Sequence, residues 1–158
     1  SEPAQVLETA WTTKQKRSLY ERLQAQGAEG LVFKRRDAAW SAGRPSSGGT
    51  QRKFKFVASA DVVIVENAGN AYRMQVFDGG RLRDVGRVFS GTTNESRAAL
   101  DTKLAKGKRI VAEVRYLYAT DDSQLFQPVF VRAREDKAEK DCTLDQLKRT
   151  NREVVDHD

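Results

Sequence analysis

The sequence predicts a mostly β protein of the α+β class, in which a short N-terminal part precedes a five-stranded barrel. Two short runs of strand character, at residues 29–34 and 52–56, flank a segment rich in Gly, Pro and Ser. Five further runs follow, separated by turn residues and by one helical segment. We therefore expect two domains, at residues 1–57 and 58–158.

Composition and the rare residue types limit which classes of protein are possible. The chain has 158 residues, of which 39% are hydrophobic and 32% charged, and its single Cys and single His are Cys142 and His157. An internal disulfide is therefore impossible, and a His-based triad or a His/Cys zinc site is nearly excluded. No apolar run approaches the ~18 residues that span a bilayer, and no signal segment opens the sequence. We expect a monomer without a membrane partner, in a bacterial or viral-host cytoplasm.

The charge balance points to a polyanionic partner. The formal net charge is +6 at pH 7, and the sequence pI is about 9.6. Such a balance is typical of nucleic-acid-binding domains. A solvated surface that happens to be basic explains the same charge, so charge alone leaves both interpretations open.

The N-terminal part is predicted to begin with a helix. Thr12 or Thr13 is a suitable N-cap, and Gly27 is a suitable terminator in the left-handed conformation. Between them, apolar side chains recur at helical spacing and predict one buried stripe: Leu19, Tyr20 and Leu23.

Two predicted strands follow this helix and carry the most informative side chains. Residues 29–34 (EGLVFK) form an apolar run with a charge at each end, and residues 52–56 (RKFKF) alternate cationic and aromatic side chains. Alternate side chains of a strand point to opposite faces, so Lys53 and Lys55 share one face and the two phenylalanines bury on the other. Adjacent ammonium groups repel unless an anion lies between them, which favours a phosphate without excluding a structural role. The turn-rich residues 43–49 can fold the second strand back on the first.

The remaining runs have the order of a known small barrel. Strands are predicted at residues 57–66, 72–76, 82–90, 109–119 and 125–134. A helix capped by Thr93 or Asn94 lies between the third and fourth strands, and Leu144 and Leu147 suggest a closing helix. Three strands, a helix and two more strands are the order of the five-stranded OB barrel, a common nucleic-acid-binding architecture.

Three motifs resemble those of the ATP-dependent DNA ligases and their covalent nucleotidyltransferase relatives. Residues 29–34 resemble motif IV, residues 53–55 (KFK) resemble motif V, and residues 132–137 (RAREDK), which follow QPVF at 127–130, resemble motif VI. The three motifs occur in the family's order, and the resemblance extends over nearly the whole chain. The resemblance implies the end of an ATP-grasp-like nucleotidyltransferase (adenylation) domain followed by an OB-fold domain.

The resemblance also implies roles for the first two motifs. Glu29 would support Mg²⁺ binding, and Lys53 and Lys55 would contact the phosphate of the nucleotide, so that these three residues form the catalytic group. Lys34 would join them in binding ATP. Without the family, a surface glutamate is the favoured interpretation of Glu29, and the lysines are open to interpretation as the solvated face of an edge strand.

In the third motif, Arg134 and Lys137 would orient the pyrophosphate that leaves ATP, while Asp136 would hold either cation in place. By itself the motif is better interpreted as an ordinary exit from the last strand into a charged connector. Three further cations near the turn-rich segment are candidates for contacts to the DNA backbone: Arg35, Arg44 and Arg52.

One essential family motif is missing from these residues. The nucleophilic lysine lies in Lys-x-Asp/Asn-Gly, but the only Asp-Gly is Asp78-Gly79, and Val76 stands where the lysine would be. We expect the nucleophile, which carries AMP, to lie upstream of Ser1, so that the parent protein is the enzyme and this piece alone is inactive. The parent would seal nicks in duplex DNA through enzyme-AMP and DNA-adenylate intermediates, in replication, repair or recombination.

Two alternatives remain open at the level of sequence. An RNA ligase or an mRNA-capping guanylyltransferase shares the general motif pattern. A non-catalytic OB module that binds nucleic acid electrostatically explains the basic charge and the strand order without any catalysis.

Overall fold

The computed structural model describes residues 7–39 and 49–149. The chain divides into two compact units, Ser1–Phe56 and Val57–Asp158. The described residues form two α-helices and seven strands in two sheets. In these ranges, no helix combines the length and apolarity that crossing a bilayer requires.

The first unit contains helix α1 (Thr13–Ala25). Thr12 is its N-cap, and a reciprocal capping box with Gln15 satisfies two backbone N–H groups at the helix start. Gly27 follows the last turn with φ +71°, which is the predicted left-handed exit. The predicted buried stripe is wrong in degree, because Leu19, Tyr20 and Leu23 are only half-buried.

Strands β1 (Gly30–Lys34) and β2 (Gln51–Lys55) form an antiparallel ribbon in the same unit. The prediction that both phenylalanines bury is half wrong. Phe56 is buried, but Phe54 is 45% exposed. A two-stranded ribbon with one neighbouring helix offers little surface to cover an aromatic ring. Phe54 instead packs against Tyr20 and Phe56, with ring centroids 5.8 and 5.9 Å away.

The second unit holds the predicted three strands, helix and two strands. They are β3 (Ala58–Asn67), β4 (Tyr72–Asp78), β5 (Arg81–Val88), α2 (Asn94–Ala105), β6 (Ile110–Tyr116) and β7 (Val129–Ala133). The sheet order is β5-β4-β3-β6-β7, with every neighbouring pair antiparallel. The central strand β3 alternates between two apolar faces, so that a main core and a smaller cluster lie on opposite sides of it.

Backbone hydrogen bonds link β5 and the residues after it to β7 and the residues before it, which curls the sheet towards a barrel. The N–H of Phe130 donates to the carbonyl of Ser90 at 2.8 Å, and the N–H of Leu125 donates to that of Val85 at 2.9 Å. Gly91 makes this approach possible, because a Cβ there would lie 2.2 Å from the carbonyl oxygen of Phe130. Closure of this kind removes exposed strand edges.

The segment after β7 differs from the prediction. The closing helix is absent from the described residues, where Leu144–Gln146 forms only a single 3₁₀ turn, as does Glu139–Asp141. This segment instead lies along the barrel, where the N–H of Phe77 donates to the carbonyl of Cys142 at 2.7 Å. Cys142 is fully buried against Val63 and Val111. Packing of Leu144 and Leu147 against the main core, rather than helical periodicity, therefore explains these leucines.

Candidate functional site

The β1–β2 ribbon brings the predicted phosphate-binding lysines to one face. Val32 lies opposite Lys53, Gly30 opposite Lys55, and Lys34 opposite Gln51. Directly opposed residues of an antiparallel pair point to the same side, and alternate residues of a strand do so too. Lys34, Lys53 and Lys55 therefore share one face, and all three are exposed. This cationic face can bind an anion of several negative charges.

Glu29 immediately precedes the ribbon and does not lie within the apolar strand. Its side chain is 71% exposed, and its carboxylate lies 3.1 Å from the ammonium of Lys55. It therefore needs no metal to compensate for burial. The donor chemistry still fits Mg²⁺, which uses one or two carboxylates together with phosphate oxygens and waters. In the described ranges no three His, Cys, Asp or Glu side chains converge on a common metal position.

Gly30 fixes the distance between Glu29 and the second strand. A Cβ at this position would lie 2.1 Å from the carbonyl oxygen of Phe54 and 2.8 Å from the Cα of Lys55. The N–H of Phe56 also donates to the carbonyl of Glu29 at 3.0 Å. Glycine is therefore required where the acidic and cationic residues of the two motifs meet.

The other end of the ribbon carries two of the predicted DNA-binding arginines. Arg35 and Arg52 line an open hollow of about 410 Å³ together with Phe33, Lys34, Gly49 and Thr50. The guanidinium of Arg35 pairs with Asp37 at 2.6 Å and lowers the pKa of that carboxyl. The third predicted residue, Arg44, lies outside the described residues.

The predicted motif VI side chains lie together in the second unit, but they are bound to carboxylates. The Nε and Nη2 atoms of Arg134 donate to the two oxygens of Asp136 at 2.9 and 2.8 Å. Nη1 of Arg134 donates to Asp61 at 3.3 Å and lies 3.8 Å from Glu113. Lys137 donates to the second oxygen of Asp61. Asp61 therefore bridges the two cations.

Charge in this cluster is balanced. Arg134, Lys137 and Arg132 meet Asp61, Glu113 and Asp136, and Arg132 donates to Glu113 at 2.9 Å. The Arg134 hydrogen bond lowers the pKa of Asp136 to about 2. The hydrogen bond to Asp61 raises the pKa of Lys137, and that to Asp136 raises the pKa of Arg134.

Sequence reasoning missed Asp61. The side chain is 11% exposed, and it stands alone among apolar residues in the run ADVVIV at 60–65. An ionised carboxylate in a buried strand requires paired cations. The signal was therefore present in the sequence, but nothing in the local pattern indicates that the partners lie more than 70 residues away.

Solved structures similar to this chain identify its fold. No protein-family model and no curated protein matches the chain. Among solved structures, the chain is similar to one of the Lig E DNA ligases, with 16% identity, a TM-score of 0.59, and coverage of 80% of this chain and 48% of that one. It is also similar to Pmar-Lig_PreS3, with 17% identity, a TM-score of 0.59, and coverage of 77% and 31%.

The ligase domain of LigD from M. tuberculosis is similar over 82% of this chain and 50% of that one, with 25% identity and a TM-score of 0.48. The chain thus spans half or less of the length of these three structures. The likeness to Lig E shows that the chain has a DNA ligase fold, and it confirms the predicted fold class and the predicted structural resemblance.

Proposed function

We propose that the chain is the C-terminal portion of an ATP-dependent DNA ligase, comprising the end of its adenylation domain and its OB domain. The observation that carries the proposal is the shared face of Lys34, Lys53 and Lys55 beside Glu29, in a chain with a DNA ligase fold. The OB module alone would not require three lysines on one face of a separate ribbon.

The lysines supply positive charge where phosphorus is attacked. Lys53 and Lys55 offset the negative charge that develops on the phosphate of the nucleotide, and Lys34 adds to the same field. Fixed cations of this kind stabilise the transition state without reorganisation. Bound Mg²⁺, held by Glu29 and phosphate oxygens, would add charge neutralisation at the same phosphates.

Arg134 and Lys137 bind the pyrophosphate released from ATP. The guanidinium offers a planar fork that suits phosphate oxygens, and the ammonium offers a mobile point charge. Their role is confined to the step in which pyrophosphate leaves. The two later steps, transfer of AMP to the 5′-phosphate of a nick and attack by the 3′-hydroxyl, release no pyrophosphate.

The nucleophilic lysine is supplied from outside these 158 residues, because they contain no Lys-x-Asp-Gly or Lys-x-Asn-Gly. The partner is nicked duplex DNA, and Arg35 and Arg52, together with Arg44, contact its backbone without reading sequence. The 158-residue chain incubated with labelled ATP and Mg²⁺ should form no covalent adduct. A stable labelled adduct would show that the nucleophile is within the chain.

Nick sealing by the full-length protein tests the site. Lys53→Ala and Lys55→Ala should each lower the sealing rate by about 100-fold or more, as loss of one transition-state donor does elsewhere. Lys14→Ala and Lys16→Ala remove exposed lysines of α1 and serve as charge-matched controls with near-normal rates. Normal sealing by both ribbon variants would exclude the proposed site.

The ribbon variants and a change of substrate separate the alternatives. In a non-catalytic OB module, Lys53→Ala and Lys55→Ala would lower affinity for nicked duplex only a few-fold, and the unsubstituted protein would seal nothing. An RNA ligase would seal nicked RNA in preference to nicked DNA under the same conditions.

A further inference from the structure

Asp61 is the only residue in the described ranges that touches both Arg134 and Lys137 through ion pairs. Its two carboxylate oxygens are divided between them, one to each cation. Two cations brought together without such an anion would repel each other. We propose that Asp61 is a positioning residue that holds Arg134 and Lys137 side by side as one two-pronged binding unit for pyrophosphate. This inference rests on the proposed function.

The environment of Asp61 fits a fixed anchor. The side chain is 11% exposed, and its peptide is held on both sides by Gln146, whose Oε1 accepts from the Asp61 N–H and whose Nε2 donates to the Asp61 carbonyl, both at 2.9 Å. Because its peptide is hydrogen-bonded and its side chain is buried, the Asp61 carboxylate keeps its position when a ligand binds. The cations attached to it are therefore preorganised, which lowers the entropy lost on binding.

Asp136 occupies a different position around the same guanidinium. It is 68% exposed, against 20% for Arg134, and it lies only two residues from Arg134 along the chain. Its two bonds to Nε and Nη2 have the bidentate geometry that a phosphate uses with arginine. An incoming pyrophosphate therefore replaces Asp136 at the exposed edge of Arg134, while Asp61 keeps the inner edge.

Removal of Asp61 and removal of Asp136 should affect anion binding differently. Removing either charge raises the local positive potential and strengthens the binding of any anion. Only the removal of Asp61 also allows the distance between Arg134 and Lys137 to vary. The readout is therefore the selectivity for pyrophosphate, which spans both cations, over inorganic phosphate, which engages one.

The test titrates inorganic pyrophosphate and inorganic phosphate into the 158-residue chain carrying Lys53→Ala and Lys55→Ala, which weakens anion binding by the ribbon, and compares dissociation constants. This background chain should prefer pyrophosphate by about tenfold or more. Asp61→Asn should lower this preference to threefold or less, whereas Asp136→Asn should tighten both anions and keep the preference. Glu135→Gln removes an exposed neighbouring charge that pairs with Lys103 and should also keep it. An unchanged preference in Asp61→Asn overturns the proposal.

If Asp61→Asn fails to fold, an NMR measurement on the unsubstituted chain tests the same proposal. Hydrogen-bond scalar coupling between Lys137 Nζ and the Asp61 carboxyl carbon should persist at saturating pyrophosphate, while the Arg134 Nε–H resonance shifts. Loss of the coupling on saturation would show that Asp61 is displaced, and it would overturn the proposal.

Failure of the proposed function gives a different pattern. If Arg134→Ala and Lys137→Ala abolish the pyrophosphate preference of the chain but leave ATP-dependent nick sealing by the full-length protein unchanged, the binding unit stands and its ligase role does not. If neither substitution alters pyrophosphate binding, the unit itself is wrong.

Discussion

The ammonium of Lys55 lies 3.1 Å from the carboxylate of Glu29, so the residue predicted to bind a metal and a residue predicted to bind phosphate are paired with each other. Both side chains are substantially exposed, and exposed pairs contribute little to stability. The pair is therefore readily exchanged for other partners. An anion on Lys55 and a cation on Glu29 would separate the two charges.

Substituting Glu29 tests this exchange. Glu29→Gln frees Lys55 and should tighten binding of metal-free ATP to the 158-residue chain by roughly 2–5-fold, the range expected for loss of an exposed ion pair. Added Mg²⁺ should then strengthen ATP binding less in the variant than in the unsubstituted chain. Isothermal titration calorimetry with and without Mg²⁺ measures both effects. Glu21→Gln, on the exposed side of α1, is the matched control, and equal Mg²⁺ dependence in all three proteins would contradict the prediction.

Gly30→Ala should open the ribbon. The new Cβ would lie 2.1 Å from the carbonyl oxygen of Phe54, and overpacking against backbone typically costs about 1–3 kcal/mol. Amide hydrogen exchange should show loss of protection in β1 and β2, with the barrel amides unchanged.

Gly69→Ala provides the comparison for this substitution. Gly69 has φ +84° and open space around its Cβ position, so alanine there should cost only about 1–2 kcal/mol of backbone strain and should leave ribbon protection intact. Retained ribbon protection in Gly30→Ala would show that the strands can move apart without loss of pairing.

Asp136 should make the second unit sensitive to acid. Because Arg134 lowers the pKa of Asp136 from 3.8 to about 2, its ion pair stabilises the folded state fully above about pH 4. That contribution is lost as the pH falls through about 2. Carbon-detected NMR should place the titration of the Asp136 carboxyl near pH 2, and thermal unfolding of Asp136→Asn should lose part of the pH dependence between 4 and 2. Titration at the ordinary value would contradict the observed pairing.

Cys142 should be protected from thiol reagents. Burial raises the pKa of its thiol from 9.0 to about 11, which lowers the thiolate fraction near pH 8 by roughly 100-fold, and the thiolate is the reactive form. Labelling by an aromatic disulfide reagent should therefore be slow in the folded chain and fast in denaturant. Equal rates in both conditions would show that the segment carrying Cys142 detaches readily from Val63 and Val111.

The correctly predicted parts of the fold are those that depend on residues close together in the sequence. Thr12 and Gly27 mark the ends of α1 by capping chemistry, and turn residues separate the strands of the barrel in their correct order. The alternation in β2 placed Lys53 and Lys55 on one face. These features need only near neighbours to be specified.

The parts that escaped prediction depend on what each element packs against. Phe54 is exposed because, among the described residues, the ribbon packs against one helix only. Leu144 and Leu147 pack against the barrel without forming an α-helix. The ion pairs of Asp61 join β3 to the residues after β7. No local pattern encodes these contacts, although a lone acid in an apolar strand does signal that a distant partner exists.

The two hydrogen bonds between Gln146 and the Asp61 peptide have a consequence for self-association. The first residues of β3 pair with β6 on one side, whereas the pairing of β3 with β4 begins only at Val63. The side-chain amide of Gln146 supplies both bonds that a neighbouring strand would make there. A single glutamine side chain thus takes the place of a neighbouring strand where β4 does not pair, so that this peptide is satisfied without a strand from another molecule.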